Sequence, residues 1–293
     1  PEQWAEWLRA PLEHAAGTGN RDLVEKLLEA GANGGAGWGC HGKTLLHAAA
    51  EGGNVQVVTR LRRAGAGAGG DINAKTLDIG HTPLDLAVIG GKEAAAKALI
   101  MAGADVNVLD AANDGPLHLA IKGGHTNRTA AIRALVEAGA DIEVRDGEET
   151  TPLQNAAWSG SCATMWTLLQ LGANVNSKDE RGLNALHFAC FRGHLDAADL
   201  LLRWGADETA AVFIVVRRIA EATEARRPRF ELVSKLLACA PQDRAWRRRG
   251  FLVLCRAHPD RVRLAVEIPT AAASAGATEQ PQERPRSRAR TGQ

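Results

Sequence analysis

The chain has 293 residues, is 45% hydrophobic and 24% charged, and carries a formal net charge of +1. It is long enough to bury a large core, yet it has no run of 18 apolar residues, which argues against a transmembrane segment. Five cysteines without a Cys-x-x-Cys pair or zinc-ligand spacing predict reduced thiols in an intracellular protein, cytoplasmic or nuclear, with no metal and no cofactor.

A leucine-centred block recurs six times along the first two-thirds of the chain. Its leucines are spaced by 34, 38, 33, 36 and 33 residues, and each has an Ala three residues later and a Gly seven residues later. They are Leu12, Leu46, Leu84, Leu117, Leu153 and Leu186. Every copy closes on a second Gly-Ala pair, as in Gly103-Ala104 and Gly172-Ala173. Self-similarity near 33 residues predicts a stacked-repeat architecture.

Each copy contains signals for two helices. Pro83, Pro116 and Pro152 directly precede a motif leucine, where a residue without an N–H suits the first helical turn. Thr82 and Thr151 precede two of these prolines and are predicted N-caps. The Gly that follows the leucine by seven residues predicts a tight turn. A second helix with apolar residues at helical spacing then runs to the Gly-Ala pair.

The pattern Thr-Pro-Leu-His-x-Ala-Ala, then Gly, then Val-x-x-Leu-Leu, then Gly-Ala-Asp resembles the ankyrin repeat. The six copies cover roughly residues 9–207. The resemblance implies an all-α solenoid of stacked helix-turn-helix units with protruding β-turn fingers. We therefore expect residues 1–207 to hold repeats one to six and a short N-terminal helix. The extra residues at 65–70 predict a longer, mobile finger, and three extra residues after Gly124 predict an insertion between two helices.

The pattern weakens after the sixth repeat. Residues 208–241 lack the turn and the Thr-Pro-Leu block, but a Leu-Val-x-x-Leu-Leu run begins at Leu232. We interpret this segment as a degenerate helix pair that caps the stack, because terminal repeats are atypical. The β-branched run at 212–216 fits either a helix or a short strand.

The C-terminal part of the chain is basic. Residues 1–207 hold 18 Lys and Arg against 25 Asp and Glu, whereas residues 208–293 hold 17 against 9, net charges of −7 and +8. Residues 242–268 are predicted to form a basic helix, and the Arg- and Pro-rich segment 269–293 to be disordered. The helix's basic patch comprises Arg244, Arg247, Arg248, Arg249 and Arg256. One hypothesis is that this patch binds nucleic acid or another anionic surface.

A catalytic role finds little support. His47, His118 and His187 occupy one motif slot, directly after the leucine, where the resemblance implies a hydrogen bond to turn backbone. No Ser or Cys stands in a nucleophile–base pattern. We therefore predict a protein that is not an enzyme. A substrate-recruiting subunit of a larger enzyme complex stays open as an alternative.

The preferred hypothesis is a scaffold or adaptor, expected to be monomeric, that binds a protein partner. The resemblance implies a binding face made of the finger turns and the first helices. In most copies the face slots hold small or charged residues, but repeats five and six place Trp158 with Ser159 and Phe191 with Arg192 there. Exposed aromatic residues beside polar ones are typical of binding hot spots. The neighbouring predicted contacts are Glu148, Thr150, Glu180, Arg181, Leu183 and Trp204.

Overall fold

The protein is described from a computed structural model. It describes residues 7–30, 32, 41–64, 71–123, 128–208, 211–223 and 226–239. These residues form fourteen helices and no strand. In chain order the helices are α1 (Arg9–Thr18), α2 (Arg21–Glu29), α3 (Leu45–Gly52), α4 (Val55–Ala64), α5 (Pro83–Ile89), α6 (Glu93–Met101), α7 (Pro116–Lys122), α8 (Arg128–Glu137), α9 (Pro152–Ser159), α10 (Cys162–Gln170), α11 (Ala185–Arg192), α12 (Leu195–Arg203), α13 (Ala211–Glu221) and α14 (Arg227–Cys239).

The helices form two parallel rows. Within each repeat the odd-numbered first helix packs on the even-numbered second helix. Between repeats, each first helix contacts the next first helix and each second helix contacts the next second helix, from α1 to α14. This arrangement confirms the predicted all-α solenoid.

The helix starts follow the predicted sequence signals. The Thr82 and Thr151 hydroxyls accept backbone N–H groups from the first turns of α5 and α9, at 3.3 and 3.4 Å. Proline occupies the first positions of α5, α7 and α9. These contacts satisfy backbone donors that a helix start would otherwise leave unpaired.

The core lies between the two rows and between successive repeats. All six motif leucines are buried, and the alanines three residues after them are buried as well. Small alanines let paired helices approach closely, while the leucines fill the space between repeats. The core is therefore a continuous set of local interfaces rather than one central cluster.

The motif histidines connect one repeat to the next. Nδ1 of His47 accepts the backbone N–H of Thr44 at 3.0 Å, so its Nε2 carries the proton and donates to the carbonyl of His81 at 3.0 Å. His118 bonds the carbonyl of Thr150 in the same way at 3.2 Å. Burial lowers the pKa of both imidazoles. The histidine slot is structural, as the resemblance implied.

The chain continues helically after the sixth repeat. The run at 212–216 lies within α13 and is helical, not a strand. Helix α13 packs on α11, and α14 packs on α12. The predicted long finger at 65–70, the basic helix at 242–268 and the tail at 269–293 lie outside the described residues, as does most of the segment before α1. The three-residue insertion predicted after Gly124 falls where residues 124–127 are likewise not described.

Candidate functional site on the first-helix face

Two aromatic side chains stand at the C-terminal ends of neighbouring first helices. Trp158 on α9 and Phe191 on α11 stack with ring centroids 5.7 Å apart and an angle of 14° between the ring planes. They keep 40% and 39% of their surface exposed. We call the surface formed by the first helices and the finger turns the first-helix face. The two rings form one exposed aromatic platform on it.

Two guanidinium groups lie on this platform. The guanidinium carbon of Arg192 is 4.7 Å from the Trp158 ring centroid, and that of Arg218 on α13 is 4.5 Å from the Phe191 ring centroid. Cation–π attraction of this kind is worth about 0.5–1 kcal/mol at exposed sites. The platform therefore extends from repeat five to α13 and carries positive charge.

The turn after Trp158 fixes that end of α9. Gly160 has φ of 69°, and a Cβ there would lie 2.8 Å from the ring of His194. The carbonyl of Trp158 lies 3.1 Å from Nε2 of His194, which belongs to the next repeat. Burial lowers the pKa of the His194 imidazole, so its neutral form donates this bond. The close approach requires glycine and ties the platform to repeat six.

A cavity of about 480 Å³ lies beside the platform, between repeats four, five and six. Its apolar wall comes from Ile121, Trp158 and Phe188. The Phe188 ring meets the Trp158 ring edge to face at 6.1 Å, with 75° between the planes. The remaining lining residues are Lys122, Asp146, Glu148, Thr150, Gln154, Asn155, Ser159 and Arg181.

Asp146 organises the polar side of the cavity, although it is only 3% exposed. Its carboxylate accepts bonds from the Asn155 amide at 2.9 Å and the Thr150 hydroxyl at 2.9 Å, and it pairs with Lys122 at 3.2 Å. Burial opposes its ionisation, but these hydrogen bonds outweigh burial and hold the pKa of the Asp146 carboxyl well below its usual range. The polar base of the cavity is thus cross-linked by hydrogen bonds and an ion pair.

The structure brings together five of the ten residues predicted at the binding site: Glu148, Thr150, Trp158, Ser159 and Arg181 all line the cavity. Phe191 and Arg192 adjoin it through their contacts with Trp158. Thr150 is buried, and both its hydroxyl and its carbonyl are bonded internally, so it shapes the finger.

Three predicted residues lie apart from the cavity lining. Glu180 is exposed on the finger of repeat six. Leu183 is half-buried, and its carbonyl accepts the Gln154 amide at 2.9 Å. Trp204 follows the second helix α12 and packs edge to face on Trp166 of α10, at 5.9 Å. Trp204 therefore belongs to the second-helix row rather than to the platform.

Several cavity residues could not be predicted from the sequence. Asp146, Asn155, Ile121 and Phe188 carry no motif signal that separates them from ordinary repeat positions. Asp110 and Asp179 occupy the same finger position as Asp146 and accept a backbone N–H two residues later in the same way. The sequence therefore does not indicate that Asp146 also pairs with Lys122. Only the pairing across repeats reveals that contact.

Other kinds of site find no support in the part of the chain that the structure describes. There, no group of three or more His, Cys, Asp or Glu is arranged to hold a metal ion. Among the same residues, no helix is both long and apolar enough to cross a bilayer. The predicted basic patch at Arg244, Arg247, Arg248, Arg249 and Arg256 lies outside the described residues and stays a prediction.

The fold is that of an ankyrin solenoid, and comparison with known proteins agrees. A family model described as ankyrin repeats (3 copies) matches residues 12–110 and 91–179, and one described as ankyrin repeats (many copies) matches residues 163–202. These matches cover more than half of the chain, which therefore belongs to the ankyrin repeat family. Ankyrin repeats generally mediate protein–protein interaction, and the fold is typically a non-catalytic module.

Similar proteins share parts of the repeat region. The chain is 57% identical over 44 residues to human Ankyrin repeat domain-containing protein 63, which is 15% of the chain and 12% of that protein. It is 32% identical over 143 residues to the rat Nuclear factor NF-kappa-B p105 subunit, 48% of the chain and 15% of that protein. It is 39% identical over 59 residues to mouse Protein phosphatase 1 regulatory subunit 27, 20% of the chain and 38% of that protein. The matched segments are thus well under half of each relative.

Proposed function

We propose that this chain is a non-catalytic scaffold or adaptor that binds a protein partner on the first-helix face of repeats four to six. The observation that carries the proposal is the Trp158–Phe191 platform, whose rings are stacked yet about 40% exposed. Protein interfaces concentrate their binding energy in a few aromatic and Arg residues near the centre of the contact.

The platform is held in place before a partner arrives. Phe191 stacks on one part of Trp158, Arg192 lies over its ring, and the His194–carbonyl bond anchors the end of α9. Ordering a side chain on binding costs about 0.5–1.5 kcal/mol, so side chains that are already ordered keep more of their interaction energy. This rigidity favours a contact surface over an incidental exposed ring.

The experiment is affinity capture with the full chain as wild type and as the double variant Trp158→Ala, Phe191→Ala. We expect the proteins retained by the wild type to be lost, or weakened at least tenfold, because removing a hot-spot pair costs more than about 2 kcal/mol. Partners are quantified by mass spectrometry, and each variant's folding by circular dichroism.

Trp204→Ala is the matched control. It removes the same kind of side chain from an aromatic pair in the same two repeats, but in the second-helix row. We expect Trp204→Ala to retain the captured proteins. Equal retention by the wild type and a folded double variant would show that the platform is not the binding site.

A further inference from the structure

The polar base of the cavity has little bonding capacity left for a ligand. Lys122 pairs with Asp114 at 2.6 Å and with Asp146 at 3.2 Å. The Gln154 amide donates to the carbonyls of Ser177 and Leu183, both at 2.9 Å. A partner group that entered here would have to break existing bonds, which costs as much as it gains. The base is therefore poorly suited to bind a strongly polar group.

The rim of the cavity differs from its base. Arg181, from the finger of repeat six, and Glu148, from the finger of repeat five, both line the cavity and are exposed. Neither side chain has an ion pair or a side-chain hydrogen bond within the described residues. The rim therefore offers one free cation and one free anion, on different fingers.

The apolar wall has a free surface as well. Trp158 lines the cavity, whereas Phe191 and Arg192, which cover part of its ring, do not. Trp158 keeps 40% of its surface exposed beside these two contacts, so part of the indole remains open for a partner. With the half-buried Phe188 it forms the apolar side of the cavity, above Ile121, which is only 1% exposed. The whole cavity, about 480 Å³, lies in the size range of ligand-binding pockets.

We propose that this cavity takes the apolar side chain of an extended partner segment, in which an acidic residue on one flank pairs with Arg181 and a basic residue on the other pairs with Glu148. This inference rests on the proposed function and adds the chemistry of the partner. The apolar anchor supplies affinity through burial, about 25 cal/mol per Å². The two flanking charges fix the direction of the segment, as charges at interface rims generally do.

The test uses short synthetic peptides with a central Phe, Asp on one flank and Lys on the other, in both orders. Binding to the full chain is followed through the indole N–H resonance of Trp158 in NMR, assigned with Trp158→Phe. We expect one order to bind better than the other. Replacing Phe by Ser should abolish binding, and replacing either charged residue by Ser should weaken it about two- to fivefold, as expected for an exposed ion pair.

Charge reversal gives the decisive comparison. Arg181→Glu should weaken the preferred peptide and strengthen the variant in which Asp is replaced by Lys, with thermal unfolding unchanged. Glu180→Lys, on the same finger but outside the cavity lining, is the control and should leave the preference intact. No binding of any Phe peptide, or binding that ignores flank order and Arg181→Glu, would overturn the inference. The proposed function fails separately, if a folded double platform variant keeps its captured proteins.

Discussion

At the scale of single residues, Asp85 differs from the residues at the same motif position in other repeats, directly after the motif leucine. In three other repeats this slot holds His47, His118 or Gln154, and each donates to a backbone carbonyl of the next finger. Asp85 accepts the Thr82 backbone N–H and hydroxyl through Oδ2, both at 2.8 Å, while its buried Oδ1 has no partner. The carbonyl in the corresponding position is that of Asp114. An ionised Asp85 has no donor and so cannot repeat the bond that the His and Gln side chains make.

Burial raises the pKa of the Asp85 carboxyl to about 6, although the Thr82 hydrogen bonds and the charge of His81 oppose the rise. The carboxylate of Asp110 adds to it. Since an unfolded Asp titrates near pH 4, the stability contributed by protonated Asp85 is fully present below about pH 4. It is lost as the pH rises through about 6.

The variant Asp85→Asn carries a permanent hydrogen-bond donor in a side chain of the same size. At pH 7 we expect the variant to be more stable than the wild type by about 1–3 kcal/mol, because it avoids the buried carboxylate. The difference should vanish near pH 4. Urea unfolding across this pH range measures it.

The reciprocal change supplies the control for that prediction. Gln154→Glu removes the hydrogen-bond donor from the same motif position in repeat five. This variant should therefore lose stability as the pH rises, which is the behaviour that Asp85→Asn is expected to abolish. A difference between wild type and Asp85→Asn that is the same at pH 4 and pH 7 would contradict a protonated Asp85.

At the scale of the structural element, the finger of repeat five depends on Asp146. Its Oδ1 accepts the backbone N–H groups of Glu148 and Thr150, both at 3.0 Å, while its Oδ2 reaches α9 and α7 through Asn155 and Lys122. One carboxylate therefore closes the turn and links the finger to two first helices. The same turn carries Glu148, so the rim of the cavity depends on it.

Asp146→Asn should lower the free energy of unfolding by about 1–3 kcal/mol at pH 7. The charged hydrogen bonds become neutral ones, and the new amide NH2 lies against groups that are themselves hydrogen-bond donors. The pKa of Asp146 is lowered, so its contribution is present above about pH 4 and lost as the pH falls below that value. The difference between wild type and variant should therefore shrink in acid, the opposite trend to that of Asp85. Chemical unfolding at pH 7 and pH 3 measures both values, and a difference that grows in acid would refute this role.

At the scale of the whole molecule, the described helices pack mainly on helices of their own repeat and of the adjacent repeats. Helix α14 packs on α12 and α13, and its Phe230 is buried beneath the guanidinium of Arg218, 5.4 Å from the ring centroid. In such a linear array stability is roughly a sum of repeat and interface terms. Damage at one end should therefore stay at that end.

Phe230→Ala tests this locality. Removing a buried Phe costs about 3–5 kcal/mol. Hydrogen exchange should show lost protection in α13 and α14, a smaller loss in α11 and α12, and unchanged protection in α5 and α6. Val233→Ala, a smaller truncation on the same helix, should produce the same pattern more weakly. Equal loss of protection throughout the stack would contradict the linear model.

Much of the fold could be predicted because the repeat encodes it locally. The spacing of Leu84 and Gly91, the cap at Thr82 and the proline at Pro83 depend on neighbours within about two turns of helix, so the sequence shows them directly. The helical state of residues 212–216 could not be predicted in this way. Its β-branched residues fit two backbones, and packing of α13 on α11 selects one.

The candidate site, too, could be predicted from the sequence only in part. The repeat register, and with it the face on which Trp158 and Phe191 lie, follows from the motif spacing alone. The packing of the repeats was needed to show that the two rings stack, that Trp204 pairs with Trp166 in the other row, and that Lys122 meets Asp146 across a repeat boundary. The physical reason is range: register follows from contacts within one repeat, whereas side-chain pairing depends on how neighbouring repeats are placed in space.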